Sequence, residues 1–93
     1  MTKNGGVKII RTARFLKSAR RLPKPIIKKA EAQELIFREN PLDQRLRTHK
    51  LHGALDGFYA YSVDYRYRII FRFLNGQTVA YHEIGTHRVY GAE

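Results

Sequence analysis

The chain of 93 residues has no cysteine, which removes disulfides, thiolate nucleophiles and cysteine-based zinc sites at once. It has no apolar run approaching the roughly 18–20 residues that a membrane span requires, so no membrane association is expected. Residues 1–6 are polar and glycine-rich with no apolar stretch behind them, unlike a secretory leader, and the cytoplasm is the expected compartment. No internal repeat, linker or low-complexity segment divides the sequence, so residues 1–93 are expected to form a single domain. Acidic residues are scarce: 8 Asp and Glu stand against 18 Lys and Arg, for a formal charge of +10. Residues 1–50 carry 14 basic and 4 acidic side chains, whereas residues 51–93 carry 4 of each. A basic half of this kind attracts polyanions through counterion release and long-range steering, although a solvated basic helix surface gives the same count. Nucleic acid or an acidic protein is the partner class it favours.

What is present reads as an α+β chain. Val7 to Ile10 form a short first strand. Thr12 is placed to cap a helix carrying Phe15, Leu16, Ala19 and Leu22 on one face. Pro23 and Pro25 mark the start of a second helix, because proline fits a first turn whose N–H groups lack partners. That helix runs through Ile26, Ala30 and Phe37 and stops at Asn40-Pro41, which makes an antiparallel helix pair. Residues 41–57 lose this periodicity and gather basic residues, two histidines and two glycines, as functional loops do. From Phe58 the chain turns to strand, and Asn75-Gly76 signals a hairpin between YRIIFRFL and QTVAYHEIG. On the middle strand Ile69, Phe71 and Phe73 are expected in the core under the helices, with Arg68, Ile70 and Arg72 facing outward. The expected fold is an N-terminal strand and a helix pair packed on a small antiparallel sheet.

Without cysteine, chemistry must come from four histidines, the arginines and the tyrosines. A metal centre fits poorly. His82 and His87 differ in strand parity, and His49 and His52 have only Asp43 and Asp56 nearby in sequence. No metal or other cofactor is expected. His49 and His87 suit proton transfer instead. Cutting RNA without a metal needs a base for the 2′-hydroxyl, an acid for the departing 5′-oxygen and cations for the phosphorane. Histidine titrates near neutrality, arginine offers a rigid fork to phosphate, and tyrosine can stack on an unpaired base. The bland alternatives stand beside this: a surface histidine, a solvated strand charge at Arg68, a C-terminal plug at Tyr90.

Three stretches, HKLHGALDGF at 49–58, YRYRIIFRF at 65–73 and HEIGTHRVY at 82–90, resemble the RelE/ParE superfamily of type II toxins. The YafQ-like and RelE-like mRNA interferases are nearest in character, and the order of elements agrees. The resemblance implies an endoribonuclease that cuts mRNA, in many members only in the ribosomal A site, leaving a 2′,3′-cyclic phosphate or 3′-phosphate end. It implies catalytic roles for His49, for Arg68 at the phosphate, for His87 as acid or base, and for Tyr90 as a terminal aromatic. The chain also departs from the family. Ser62 stands where YafQ-like proteins carry another histidine, Arg66-Tyr67 where they carry Asp-Trp, and Tyr59 and Tyr61 where RelE carries lysines.

The expected site therefore combines His49 and His87 in acid and base roles of either order. Arg68 binds the scissile phosphate, Tyr90 or Tyr67 stacks on a base, and Arg66, Lys50 and Arg72 contact RNA. Tyr61 is left without a role. The basic residues between 8 and 29 would meet ribosomal RNA through plain phosphate contacts. The expected protein partner is an acidic antitoxin with a segment that folds on binding, over the helices or the sheet. Two alternatives stay open: a ParE-like toxin that inhibits DNA gyrase without cutting RNA, and an inert member that only binds RNA or antitoxin.

Overall fold

A computed structural model describes residues 6–90, with side chains described for residues 6–88. Its elements follow in the order β1 (Lys8–Arg11), α1 (Ala13–Ala19), α2 (Lys24–Glu39), β2 (His49–Lys50), β3 (Tyr59–Ser62), β4 (Arg68–Phe73) and β5 (Thr78–Gly85). Single 3-10 turns occur at Gln44–Leu46, Gly53–Leu55 and His87–Tyr90. The five strands form one sheet in the order β1-β5-β4-β3-β2. β3, β4 and β5 make the expected antiparallel meander. β1 joins its far edge parallel to β5, Lys8 opposite Thr78 and Arg11 opposite Tyr81, so the sheet as a whole is mixed. No helix of the described residues is long and apolar enough to cross a membrane.

Local chemistry explains the boundaries. The Thr12 hydroxyl accepts from the N–H of Phe15 at 3.1 Å and donates to the carbonyl of Tyr81 at 2.9 Å. One side chain thus caps α1 and ties it to β5. Pro23 holds the N-cap position of α2 in extended backbone, with Pro25 in the first turn. The hairpin between β4 and β5 does form at Asn75-Gly76. Gly76 does not adopt the left-handed conformation there. The Asn75 side chain closes the turn instead, accepting from the N–H of Gln77 at 2.8 Å.

The helices cover one face of the sheet. Phe37 of α2 is fully buried and stacks on Tyr61, with ring centroids 4.8 Å apart. It meets Phe71 edge-on at 4.9 Å. The Tyr61 and Tyr81 hydroxyls, both deep in this core, hydrogen-bond each other at 2.8 Å. Two features of the strands depart from simple alternation. Ile70, expected to face outward, is fully buried, because the 51–58 loop folds over that face and covers Ile70 and Ala60 with Leu51, Leu55 and Phe58. Gly53 and Gly57, with φ of 67° and 92°, let the loop turn back on itself. Phe73, expected in the core, is 37% exposed and rests against Tyr59 at the sheet's end.

The second departure is a bulge in β5. Phe71 pairs with Tyr81 but Ile70 pairs with Glu83, which leaves His82 as an extra residue. Val79 and Tyr81 before the bulge and Ile84 after it all reach the same core. Strict alternation would have sent Ile84 to the other side.

Candidate active site

The end of the sheet where β3 passes into β4 is organised by Asp64. Its carboxylate accepts from the backbone N–H groups of Arg66 and Tyr67, both at 2.8 Å, and pairs with Lys29 of α2 at 3.4 Å. Desolvation pushes the Asp64 carboxyl upward, but these donors outweigh it and hold the group below the usual carboxylate range. Gln33 of α2 donates to the Ser62 carbonyl at 2.9 Å, fixing the last residue of β3. The turn so formed presents Tyr65 to solvent, 85% exposed.

Opposite this turn, residues 41–50 form a second rigid wall. The Asp43 carboxylate accepts from the Arg45 N–H at 2.9 Å and pairs with the Arg45 guanidinium at 2.9 Å. Those bonds hold the carboxyl down at about 2. Leu46 is fully buried, and the Thr48 hydroxyl donates to the Pro41 carbonyl. Between them Arg47 sits in the left-handed region with φ of 54°, the one residue with a side chain to do so among the described residues. Its carbonyl lies 3.0 Å from Nδ1 of His49. A carbonyl only accepts, so a hydrogen bond across this contact requires the hydrogen on Nδ1, the tautomer that leaves the Nε2 lone pair free.

An open cleft of about 560 Å³ separates the two walls, lined by Arg45, Arg47, His49, Ser62, Tyr65 and Arg68 with Gln33, Val63 and Asp64 behind. Ser62 of β3 and Gly85 of β5 are the cross-strand neighbours of Arg68. Nη1 of Arg68 donates to the Tyr65 carbonyl at 3.5 Å, the long limit of a hydrogen bond. Arg45 is engaged by Asp43. Arg47 and Arg68 have no ion-pair partner among the described residues. Two arginines outside any such ion pair therefore line one cleft, an arrangement suited to an anion with several oxygens, such as a phosphodiester. The same cleft holds a histidine with one basic nitrogen available and an exposed aromatic ring.

Of the residues singled out from sequence, His49 and Arg68 line this cleft together. His87 opens the last 3-10 turn, two residues past Gly85; it is exposed and does not line the cleft. In the sheet order β4, which carries Arg68, lies between β2, which carries His49, and β5, which leads into the turn that begins at His87. The backbone of Tyr90 completes the same turn, and its side chain lies outside the described residues.

Arg66 is exposed in the β3–β4 turn. Lys50 lines a separate small hollow with Asp56 and Phe58, and Arg72 lies 5.8 Å from the centre of the Phe58 ring. Tyr67 packs against the helix-side core, as Tyr61 does, so neither ring lines the cleft. The sequence reading missed Arg45, Arg47 and Tyr65. An exposed Tyr-Arg pair before an apolar strand was the available signal for Tyr65; nothing in the pattern marked Arg47.

No group of three His, Asp or Glu side chains comes together among the described residues. The parity that separated His82 from His87 does not apply, because the bulge and the final turn both break alternation. His82 instead meets Phe58 at 4.8 Å, away from the cleft.

No protein-family model matches the chain, and no curated protein matches it in sequence. Solved structures do match in shape. The E. coli DinJ–YafQ toxin–antitoxin complex aligns with a TM-score of 0.74 at 18% identity, over 94% of this chain and 99% of that one. A YoeB/ParE toxin from Agrobacterium tumefaciens gives 0.71 at 15% identity, over 87% and 99%. The archaeal RelE–RelB complex from Pyrococcus horikoshii gives 0.70 at 16% identity, over 95% and 99%. The chain has the fold of the RelE/ParE toxins over almost its whole length.

Proposed function

Starting from a chain with that fold and this cleft, we propose that the protein is a toxin of a toxin–antitoxin pair and acts as a metal-independent endoribonuclease on mRNA, in the cytoplasm. The observation that carries the reading is the convergence of His49, Arg47 and Arg68 on one open cleft, with both guanidinium groups unpaired among the described residues. Arg68 and Arg47 bind the scissile phosphate and the charge that builds on it. Nε2 of His49 takes the proton of the 2′-hydroxyl. The 2′-oxygen then bonds to phosphorus, the bond from phosphorus to the 5′-oxygen breaks, and His87 protonates the leaving oxygen. An in-line displacement needs base and acid on opposite sides of the phosphorus. The strand order, with Arg68 on β4 between β2, which carries His49, and β5, which leads into His87, supports that division of roles. Tyr65 offers its exposed ring to a base beside the scissile bond.

The antitoxin is an acidic chain with apolar side chains spaced along a helix. An apolar groove of about 220 Å³ between α1 and α2, lined by Phe15, Leu16, Leu22 and Ile27, gives it a seat. Lys17 of α1, Arg20 and Arg21 in the turn after it, and Lys24 and Lys28 of α2 supply the opposite charge.

Primer extension on a defined mRNA during in vitro translation, with and without ribosomes, tests the activity. Wild type is expected to create new ends that vanish with Arg68→Ala. Ends seen only with ribosomes mean a ribosome-dependent interferase, and ends on naked RNA mean a free nuclease. Growth arrest without any cleavage would overturn the reading and favour a ParE-like mode.

A further inference from the structure

The backbone at Arg47 is unusual in a way that the side chain does not explain. Left-handed φ disfavours every residue with a Cβ, and glycine or asparagine is the common occupant. The chain nevertheless has an arginine there, and Arg47 lines the cleft. The conformation is imposed from both sides. Before it, the Arg47 N–H donates to the Gln44 carbonyl at 3.1 Å, and buried Leu46 anchors the turn. After it, Thr48 is tied to Pro41, and His49 is held in register opposite Ala60 of β3. With both flanks fixed, the direction of the Arg47 carbonyl is fixed too, and it points at Nδ1 of His49.

We infer that Arg47 is a positioning residue with two separable parts: its left-handed backbone sets the His49 tautomer, while its side chain binds the substrate's phosphate. The inference rests on the nuclease reading for its consequence and on the Arg47–His49 geometry for its content. A neutral imidazole has one hydrogen to place. On Nδ1 it leaves Nε2 able to accept the hydroxyl proton; on Nε2 it leaves a ring that cannot act as base from that atom. The carbonyl of Arg47 selects the first. Side chains that tolerate left-handed backbone should therefore keep the tautomer even when the guanidinium is lost, and β-branched side chains should lose both.

Nuclear magnetic resonance of the full chain with isotope-labelled histidine nitrogens decides the point, His49 being assigned by the signal missing from His49→Gln. Above the ring's titration, wild-type His49 is expected as the Nδ1–H tautomer. Arg47→Gly and Arg47→Asn are expected to keep it, and Arg47→Val to move it toward Nε2–H. In single-turnover cleavage all three variants lose substrate affinity with the guanidinium. Arg47→Val is also expected to fall about tenfold or more below the other two in the rate at saturation, as loss of a positioned base does.

A wild-type His49 found as Nε2–H overturns the inference with no variant needed, so misfolding of Arg47→Val cannot shelter it. A folded Arg47→Val that retains Nδ1–H overturns it as well. An Nδ1–H tautomer that follows the backbone rule, in a protein that cuts no RNA, supports the positioning and sinks the nuclease reading alone.

Discussion

The two faces of the sheet are built from the same strands and do opposite things. On β4, Ile69 and Phe71 go into the helix-side core while Arg68, between Ile69 and the turn, goes into the cleft. On β3, buried Tyr61 is followed by cleft-lining Ser62. The helix face is largely aromatic, and its two deeply buried hydroxyls share one hydrogen bond. The cleft end of the open face holds cations without ion-pair partners among the described residues and a histidine whose Nδ1 meets a backbone carbonyl. A single residue step crosses from the part that holds the molecule together to the part proposed to act on RNA. Stability and activity should therefore be separable by substitution, even between sequence neighbours.

The largest effect expected is on the open face. Arg68→Ala and His49→Gln should each reduce RNA cleavage by on the order of 100-fold or more, since each removes either charge stabilisation or the base. Thermal melts should hardly move, because neither side chain belongs to the core and a substitution at the surface usually changes stability by under about 0.5 kcal/mol. Loss of activity that tracked loss of the fold would break the distinction between the faces.

The reverse holds for Phe37→Ala on the helix face. Phe37 contacts Tyr61, Phe71 and Tyr81 within a fully buried site, so its truncation should cost about 3–5 kcal/mol. That is a large share of the roughly 5–15 kcal/mol available to a domain. Urea titration should show the loss, and cleavage per folded molecule at low temperature should stay near wild type.

How much of this was legible follows the same physical lines. Elements set by local chemistry read directly from sequence: Thr12 caps α1, Pro23 and Pro25 start α2, and Asn75-Gly76 turns the hairpin. His49 and Arg68, which line one cleft, were singled out because chemistry on phosphate would restrict residue types and the motif gave their order. What escaped depends on contacts distant in sequence or on a single misfit residue. The bulge at His82 leaves no mark on the alternation of side chains, so the switch that buries Ile84 was invisible. Ile70 is buried by a loop that had no pattern to predict where it folds. Arg47 could not be read at all, because its role lies in a backbone angle that arginine does not advertise.

A finer test of the helix face uses its one polar feature. Burial pushes the Tyr61 and Tyr81 hydroxyls well above the ordinary tyrosine value of about 10, and at Tyr61 the bond to Tyr81 opposes this only in part. The folded state holds these protons more tightly than the unfolded state. The stability they support is therefore complete below about pH 10 and is lost as pH rises above it. Tyr61→Phe alone strands the Tyr81 hydroxyl and should cost about 1–3 kcal/mol at neutral pH. The double variant Tyr61→Phe with Tyr81→Phe removes both partners, so it should cost less than the single one and flatten the alkaline loss. Urea midpoints at neutral and alkaline pH for the three proteins check this, and a double variant as alkali-sensitive as wild type would assign the loss elsewhere.

The smallest effect falls where the comparison between faces blurs. His82 sits half-buried in the bulge against Phe58, beside the loop that covers part of the open face. Burial lowers its pKa, helped by the Arg14 and Arg72 guanidinium groups and opposed by Glu83. The unfolded chain then binds a proton that the folded chain resists. Stability should be intact above the ordinary histidine value near 6.5 and should decline as pH falls below it. A histidine resonance titrating below that value, absent in His82→Gln, is the direct check. The variant should also show a shallower fall in stability from neutral pH into acid. If His82 titrates at the ordinary value, the 51–58 loop does not shield it, and the open face is wetter than its buried Ile70 implies.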